Sequence, residues 1–176
     1  MDTAVFGGGC FWCMEAVFKM IDGVLSVTPG YAGGSKEDPT YEEVSAGDTG
    51  YIEVVKVVFD PEKIPFRDLL SVFFASHDPT SLDRQEEDVG HQYRSVIFFK
   101  NPSQKEESEK MISEINDSSP EGKPVVTELR PLERFYEAES YHKDYYDTHR
   151  DAPYCRLVID PKLNKVREKF KTILKK

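Results

Sequence analysis

"YIEVVKVVFD", residues 51–60, is the stretch from which the fold is read. It is dense in β-branched and aromatic residues, the composition of a strand set inside a sheet. Counting by twos, Tyr51, Glu53, Val55, Val57 and Phe59 share one face, and Ile52, Val54, Lys56 and Val58 share the other. Glu53 therefore lies on a face that is otherwise apolar for three successive positions. Burial of that kind raises a carboxyl pKa and keeps the group protonated near neutral pH, which suits a general acid. The competing reading is a glutamate at the open end of the strand, wetted or ion-paired.

Outward from this strand the pattern alternates. Upstream, "TYEE" (residues 40–43) has the form of a capping box, with Thr40 and Glu43 placed to satisfy exposed helix amides. Before it, "VLSVTPGYAGG" reads as a strand running into a glycine-rich loop around Tyr31. Phe11, Met14, Phe18 and Ile21 recur at helical spacing, ended by Asp22-Gly23, and "TAVFG" is a short first strand. Downstream come a helix near Phe66 to Ser76, a loop from His77 to His91, and a strand "QYRSVIFF" ending at Phe99. A polar helix over Ser103 to Ile115, a strand "VVTELR", a helix near Ala138 to His149 and a last helix after Pro161 complete the chain. Strands alternating with helices give an α/β or α+β sheet covered by helices. The loop from His77 to His91 is long for a compact domain, and loops of that length are usually functional.

The 176 residues suit one domain with a substantial core. A net charge of −9 repels phosphate backbones and argues against nucleic acid as a partner. No apolar run approaches the length that spans a bilayer. The N-terminus lacks the basic and apolar regions of a secretory signal, and three cysteines do not form a disulfide framework. A cytoplasmic, monomeric protein is expected.

Two of the three cysteines lie in "FGGGCFWCMEAVF", residues 6–18. A strand-glycine-cysteine-helix arrangement places Cys10 at a helix N-terminus, where free amides and the helix dipole favour a thiolate. The competing reading is a buried, inert thiol. Cys13 is one turn further on, and a CxxC is read first as a redox pair or half of a zinc site. One further cysteine and four scattered histidines do not complete a zinc set, so no metal and no cofactor is expected. The glycines do not form a dinucleotide-binding fingerprint. Tyr31 and Tyr93 are phenolic donors for a polar ligand atom or core aromatics. Asp88 is a site acid or a solvated loop residue, and Trp12 beside Phe11 is core or the apolar lining of a pocket.

Taken together, "GGGCFW" (7–12), "GYAGG" (30–34), "PTYEEV" (39–44), "TGYIEVV" (49–55), "HDPT" (77–80), "RQEEDVGHQYRS" (84–95), "FYEAESYH" (135–142) and "YC" (154–155) resemble the A-type peptide methionine sulfoxide reductases. The resemblance implies a single α+β domain of residues 1–176, a mixed sheet with helices packed as a ferredoxin-like roll. Its core would span about residues 3–155 and its charged tail residues 156–176. It also implies reduction of the S epimer of methionine sulfoxide, free or in oxidised proteins and peptides. Cys10 would attack the sulfoxide sulfur, Glu53 with Tyr31 and Tyr93 would protonate or hold the oxygen, and Asp88 would orient the polar side. Phe11 and Trp12 would line the S-methyl pocket. Cys10 would be left as a sulfenic acid, resolved by Cys155 or by Cys13, with Cys155 favoured because "APYC" reads as mobile. Thioredoxin or a similar dithiol would reduce the disulfide. Tyr51, Asp83 and Glu86 stand where the family usually has His, Asn and Gly. The rivals from other classes are a general dithiol oxidoreductase using Cys10 and Cys13, and a zinc-binding module.

Overall fold

The structure, a computed structural model, describes residues 1–119 and 122–176. In chain order the elements are β1 (Asp2–Gly7), α1 (Phe11–Lys19), β2 (Val24–Ala32), α2 (Tyr41–Ser45), β3 (Ile52–Phe59) and α3 (Phe66–Ala75). A hairpin of two-residue strands, β4 (Arg84–Gln85) and β5 (Asp88–Val89), interrupts the loop after α3. Then follow β6 (Val96–Phe99), α4 (Pro102–Ser118), β7 (Glu128–Pro131), β8 (Phe135–Glu137), α5 (Tyr145–Thr148) and α6 (Asp160–Lys169).

The principal sheet has the order β7-β6-β1-β3-β2-β8, so β3 sits inside it, between β1 and β2. All neighbours are antiparallel except β6 and β7, which makes the sheet mixed and the domain α+β, as expected. The alternation along β3 holds. Val55, Val57 and Phe59 point into the main core beneath α1 and α3, and Ile52 and Val54 enter a smaller cluster on the other face with Val5 and Phe98. Phe6 anchors the main core, its ring 4.9 Å from that of Phe73 and 5.3 Å from that of Phe18.

The glycines after β1 have separate reasons. A Cβ on Gly7 would come 2.7 Å from the Ile52 side chain, whereas Gly9 has φ +95 and faces Gln85. Only glycine adopts that backbone without strain, and the turn delivers Cys10 to the start of α1. At α2 the capping box is complete, Thr40 and Glu43 each bonding the other's amide.

Several elements differ from the sequence reading. The strand expected from Gln92 begins at Val96, because His91–Tyr93 form a 3-10 turn that takes Tyr93 off the ladder. Instead of a helix over 138–149 there is a 3-10 turn, Ser140–His142, then the four-residue α5; between them Asp144 adopts φ 56, which breaks helical continuity. The strand expected from Val125 starts at Glu128, the Val126 amide bonding Pro79 O instead. A wide turn with i→i+5 bonds, Cys155–Ile159, leads into α6. Beneath the charged surface of the C-terminal segment, Ile159, Leu163 and Val166 are fully buried in the main core, and Leu174 bridges to Ile21.

Candidate active site

Cys10 is the cap residue of α1, with extended backbone, and its carbonyl accepts from the amides of Cys13 (3.1 Å) and Met14 (3.3 Å). Its side chain caps no amide. The first amide of the helix, on Phe11, donates instead to Glu53 Oε1 at 3.1 Å. Burial, then Cys13 and Glu53 nearby, push the Cys10 thiol well above its ordinary pKa. The helix start that was expected to favour a Cys10 thiolate thus offers its first amide to Glu53 instead, and burial acts against the charged form of the thiol. Cys13, whose amide bonds the Cys10 carbonyl, is shifted downward by its neighbour Cys10 against the opposing effect of burial.

Glu53 is 1% exposed, and its Oε2 has no hydrogen-bond partner among the described residues. Burial, reinforced by Asp88 and Cys13, pushes its pKa up to about 8. At neutral pH this carboxyl is protonated, and a buried, unsatisfied O–H is costly enough to mark a position where a ligand atom belongs.

Around it stand the tyrosines. Tyr31 lies directly across the β2–β3 ladder from Glu53, but its hydroxyl donates to Glu139 Oε1 at 2.9 Å. Glu139 Oε2 in turn accepts the Tyr41 amide, also at 2.9 Å. Tyr31 thus acts on the site through Glu139 and Tyr41 and is not a free donor. Tyr41 was not singled out from the sequence, yet its phenol is shifted upward, to about 12, by burial and then by Glu53 and Cys10. Tyr93 is shifted the same way by burial, Glu53 and Cys10, and its hydroxyl bonds no described residue. Both phenols therefore share the field of Glu53 and Cys10. The signal for Tyr41 was the capping box, which fixes it as the first residue of α2 behind the glycine loop.

Asp88, half-buried in the small hairpin, accepts the Tyr154 hydroxyl at 2.7 Å, and the same hydroxyl lies 3.6 Å from Cys13 Sγ. Asp88 is raised by its burial. Tyr154 is a second residue the sequence reading left without a role. The neighbouring Cys155 is fully buried, and its thiol is raised by burial and then by Asp160 and Cys13.

Phe11 and Trp12 form an apolar wall with His142. The Phe11 and His142 rings lie 5.0 Å apart, and Trp12 Nε1 donates to His142 Nδ1 at 3.0 Å. The family departures sit at the margins. Asp83 and Glu86 both have φ 55 on either side of β4, where Asn or Gly is the easier residue, and Asp83 is held by Arg94. Tyr51 donates to Lys36 O and lines a cavity of about 540 Å³ with Gly33, Arg130 and Arg134. No group of three potential metal ligands gathers among the described residues, and no described helix is long and apolar enough to cross a membrane.

Comparison with known proteins meets this geometry. The family model described as "Peptide methionine sulfoxide reductase" matches residues 2–174. The peptide methionine sulfoxide reductase MsrA of Sulfolobus acidocaldarius is 55% identical over 170 residues, covering 97% of this chain and 96% of that protein. Reduced Mxr1 from Saccharomyces cerevisiae superposes with a TM-score of 0.79 at 32% identity, covering 88% of each chain. Mxr1 has also been solved in complex with Trx2; there the TM-score is 0.55 at 24% identity, over 82% of this chain and 84% of that one, a likeness of fold. A cysteine at a helix start, a protonated glutamate beside it and agreement over nearly the whole chain lead to one conclusion: the chain belongs to the peptide methionine sulfoxide reductase family, oxidoreductases acting on methionine sulfoxide.

Proposed function

We propose that this protein reduces the S epimer of methionine sulfoxide, in peptides and oxidised proteins or as the free amino acid, with Cys10 as nucleophile and Glu53 as acid. The observation that carries the reading is the buried Oε2 of Glu53, without a partner among the described residues, on a carboxyl whose pKa burial pushes up to about 8 and that lies near the Cys10 thiol. A sulfoxide oxygen is a strong acceptor that fits such a donor. Cys10 Sγ attacks the sulfoxide sulfur while Glu53 gives its proton to the oxygen, with Tyr41 and Tyr93 donating beside it. Glu53 recovers a proton from the Cys10 thiol. In sum the oxygen moves from substrate sulfur to Cys10, which becomes a sulfenic acid as methionine leaves. With the oxygen held by the polar wall, the methyl by Phe11 and Trp12, and the sulfur facing Cys10, three directions are fixed and one configuration fits. The S assignment follows from family membership.

For the second step Cys13 is the first partner. It lies in the first turn of the helix that Cys10 caps, its amide bonded to the Cys10 carbonyl at 3.1 Å, whereas Cys155 lies in the wide turn, where its thiol is raised by burial and then by Asp160 and Cys13. Cys13 attacks the sulfenic acid and releases water, and Cys155 then exchanges onto Cys13, freeing Cys10. A dithiol of the thioredoxin class reduces the resulting disulfide, in line with the solved complex of Mxr1 with Trx2.

Dithiothreitol-driven reduction of a peptide bearing one sulfoxide epimer tests the reading. Wild type is expected to convert the S peptide and leave the R peptide, and Cys10→Ser to convert neither. Full turnover by Cys10→Ser would overturn it. Peptide mapping after one turnover without reductant separates the resolving routes. Cys155→Ser is expected to stop at a Cys10–Cys13 bond, and a persistent sulfenic acid there would return the resolving role to Cys155.

A further inference from the structure

Trp12, Glu15 and Lys19 lie along one stripe of α1, at spacings of three and four, and all three meet the same short helix. The Trp12 indole stacks on the Tyr145 ring at 3.7 Å and 8°, and Tyr145 stacks on His149 at 4.1 Å and 9°. Glu15 is 1% exposed, and its Oε2 accepts the Asp144 amide at 3.0 Å. Lys19 Nζ bonds both Asp144 and Asp147 at 2.5 Å.

That short helix, α5, has only local bonds of its own, such as Thr148 N to Asp144 O at 3.1 Å. Four residues lie far below the length at which a helix persists alone. Its cap residue, Asp144, has a left-handed backbone and offers no side-chain bond to the helix amides. An amide at the helix entrance is satisfied from outside, by the carboxylate of Glu15. A buried carboxylate on an otherwise core-facing helix is expensive to retain for packing alone. Its position beneath Asp144 accounts for it.

We propose that Glu15, assisted by Lys19, is a positioning residue that docks α5 so that Tyr145 holds the Trp12 indole as a wall of the substrate pocket. The inference rests on the reading of Trp12 as pocket wall, but its first readout does not. Trp12 is the only tryptophan in the chain, so its emission reports this stack directly, without substrate.

The test compares Glu15→Leu, which fills the space without an acceptor, with Glu15→Gln, which keeps one. Glu15→Leu is expected to shift Trp12 emission to longer wavelength and increase acrylamide quenching. Its KM for the sulfoxide peptide should rise about tenfold while kcat of the folded enzyme stays within about twofold, since ground-state positioning and not chemistry is lost. Glu15→Gln should restore both readouts nearly to wild type. Wild-type emission and KM in Glu15→Leu, or equal damage in Glu15→Gln, would overturn the proposal. Lys19→Ala, at the half-exposed rim, serves if Glu15→Leu does not fold. A smaller shift of the same kind is expected there, and its absence counts against the proposal. If instead Cys10→Ser keeps turnover while Glu15→Leu changes emission, the functional reading fails and the clamp stands.

Discussion

Glu53 combines two opposed demands on one side chain. Oε1 is fixed by the Phe11 amide while Oε2 is left without a partner, which orients the acid and keeps its proton available. Its place on an apolar strand face was legible from alternation alone, as was Cys10 behind three glycines. The direction of the phenols was not legible. Tyr31 stands opposite Glu53, yet its hydroxyl is taken by Glu139, 108 residues away in sequence. Such a capture has no local signature. The residue-scale prediction follows from this difference. Tyr41→Phe and Tyr93→Phe should each lower the single-turnover rate of methionine formation by about 10–10²-fold, the range of a lost donor at a developing charge. Tyr31→Phe should act mainly through stability, costing about 1 kcal/mol for the lost hydrogen bond. A Tyr31→Phe rate loss as large as that of Tyr41→Phe would return Tyr31 to the oxygen.

Elements with strong local codes were readable: the alternating β3, the three-and-four spacing of α1, and the cap of α2. Thr40→Ala should cost about 1 kcal/mol in urea unfolding, because the amide of Glu43 loses its partner. Gly9→Ala should cost about 1–2 kcal/mol or more, since it forces a side chain onto φ +95 and against Gln85. That contact also ties the nucleophile's turn to the hairpin carrying Asp88, so the variant should slow turnover as well. The elements that escaped sequence reading are those whose shape depends on distant partners. The four-residue α5 is held by Glu15 and Lys19, and the wide turn after Tyr154 buries Cys155 and Ile159 in the core; neither follows from propensity.

At the scale of the whole molecule, the sheet order and mixed pairing agree with the expected α+β fold, and the acidic surface encloses a core reaching from Phe6 to Val166. The C-terminal charges conceal that Leu163 is fully buried. Leu163→Ala should therefore cost about 2–4 kcal/mol in chemical unfolding. Stability should also carry the mark of the buried acid. Because folding raises the Glu53 pKa to about 8, the native state holds a proton that the unfolded chain has released, and stability falls as pH rises from the ordinary glutamate range to about 8. Glu53→Gln should raise Tm relative to wild type at about pH 9, with the difference closing toward about pH 5. Glu15, raised to about 7, contributes in the same sense to both proteins and cancels in the comparison. The most direct measurement of the central claim is the pH profile of single-turnover methionine formation by wild type and Glu53→Gln. Wild type should lose rate as pH rises through about 8, and Glu53→Gln should be slower by about 10²-fold or more and lack that limb. An unchanged rate and profile in Glu53→Gln would contradict the account.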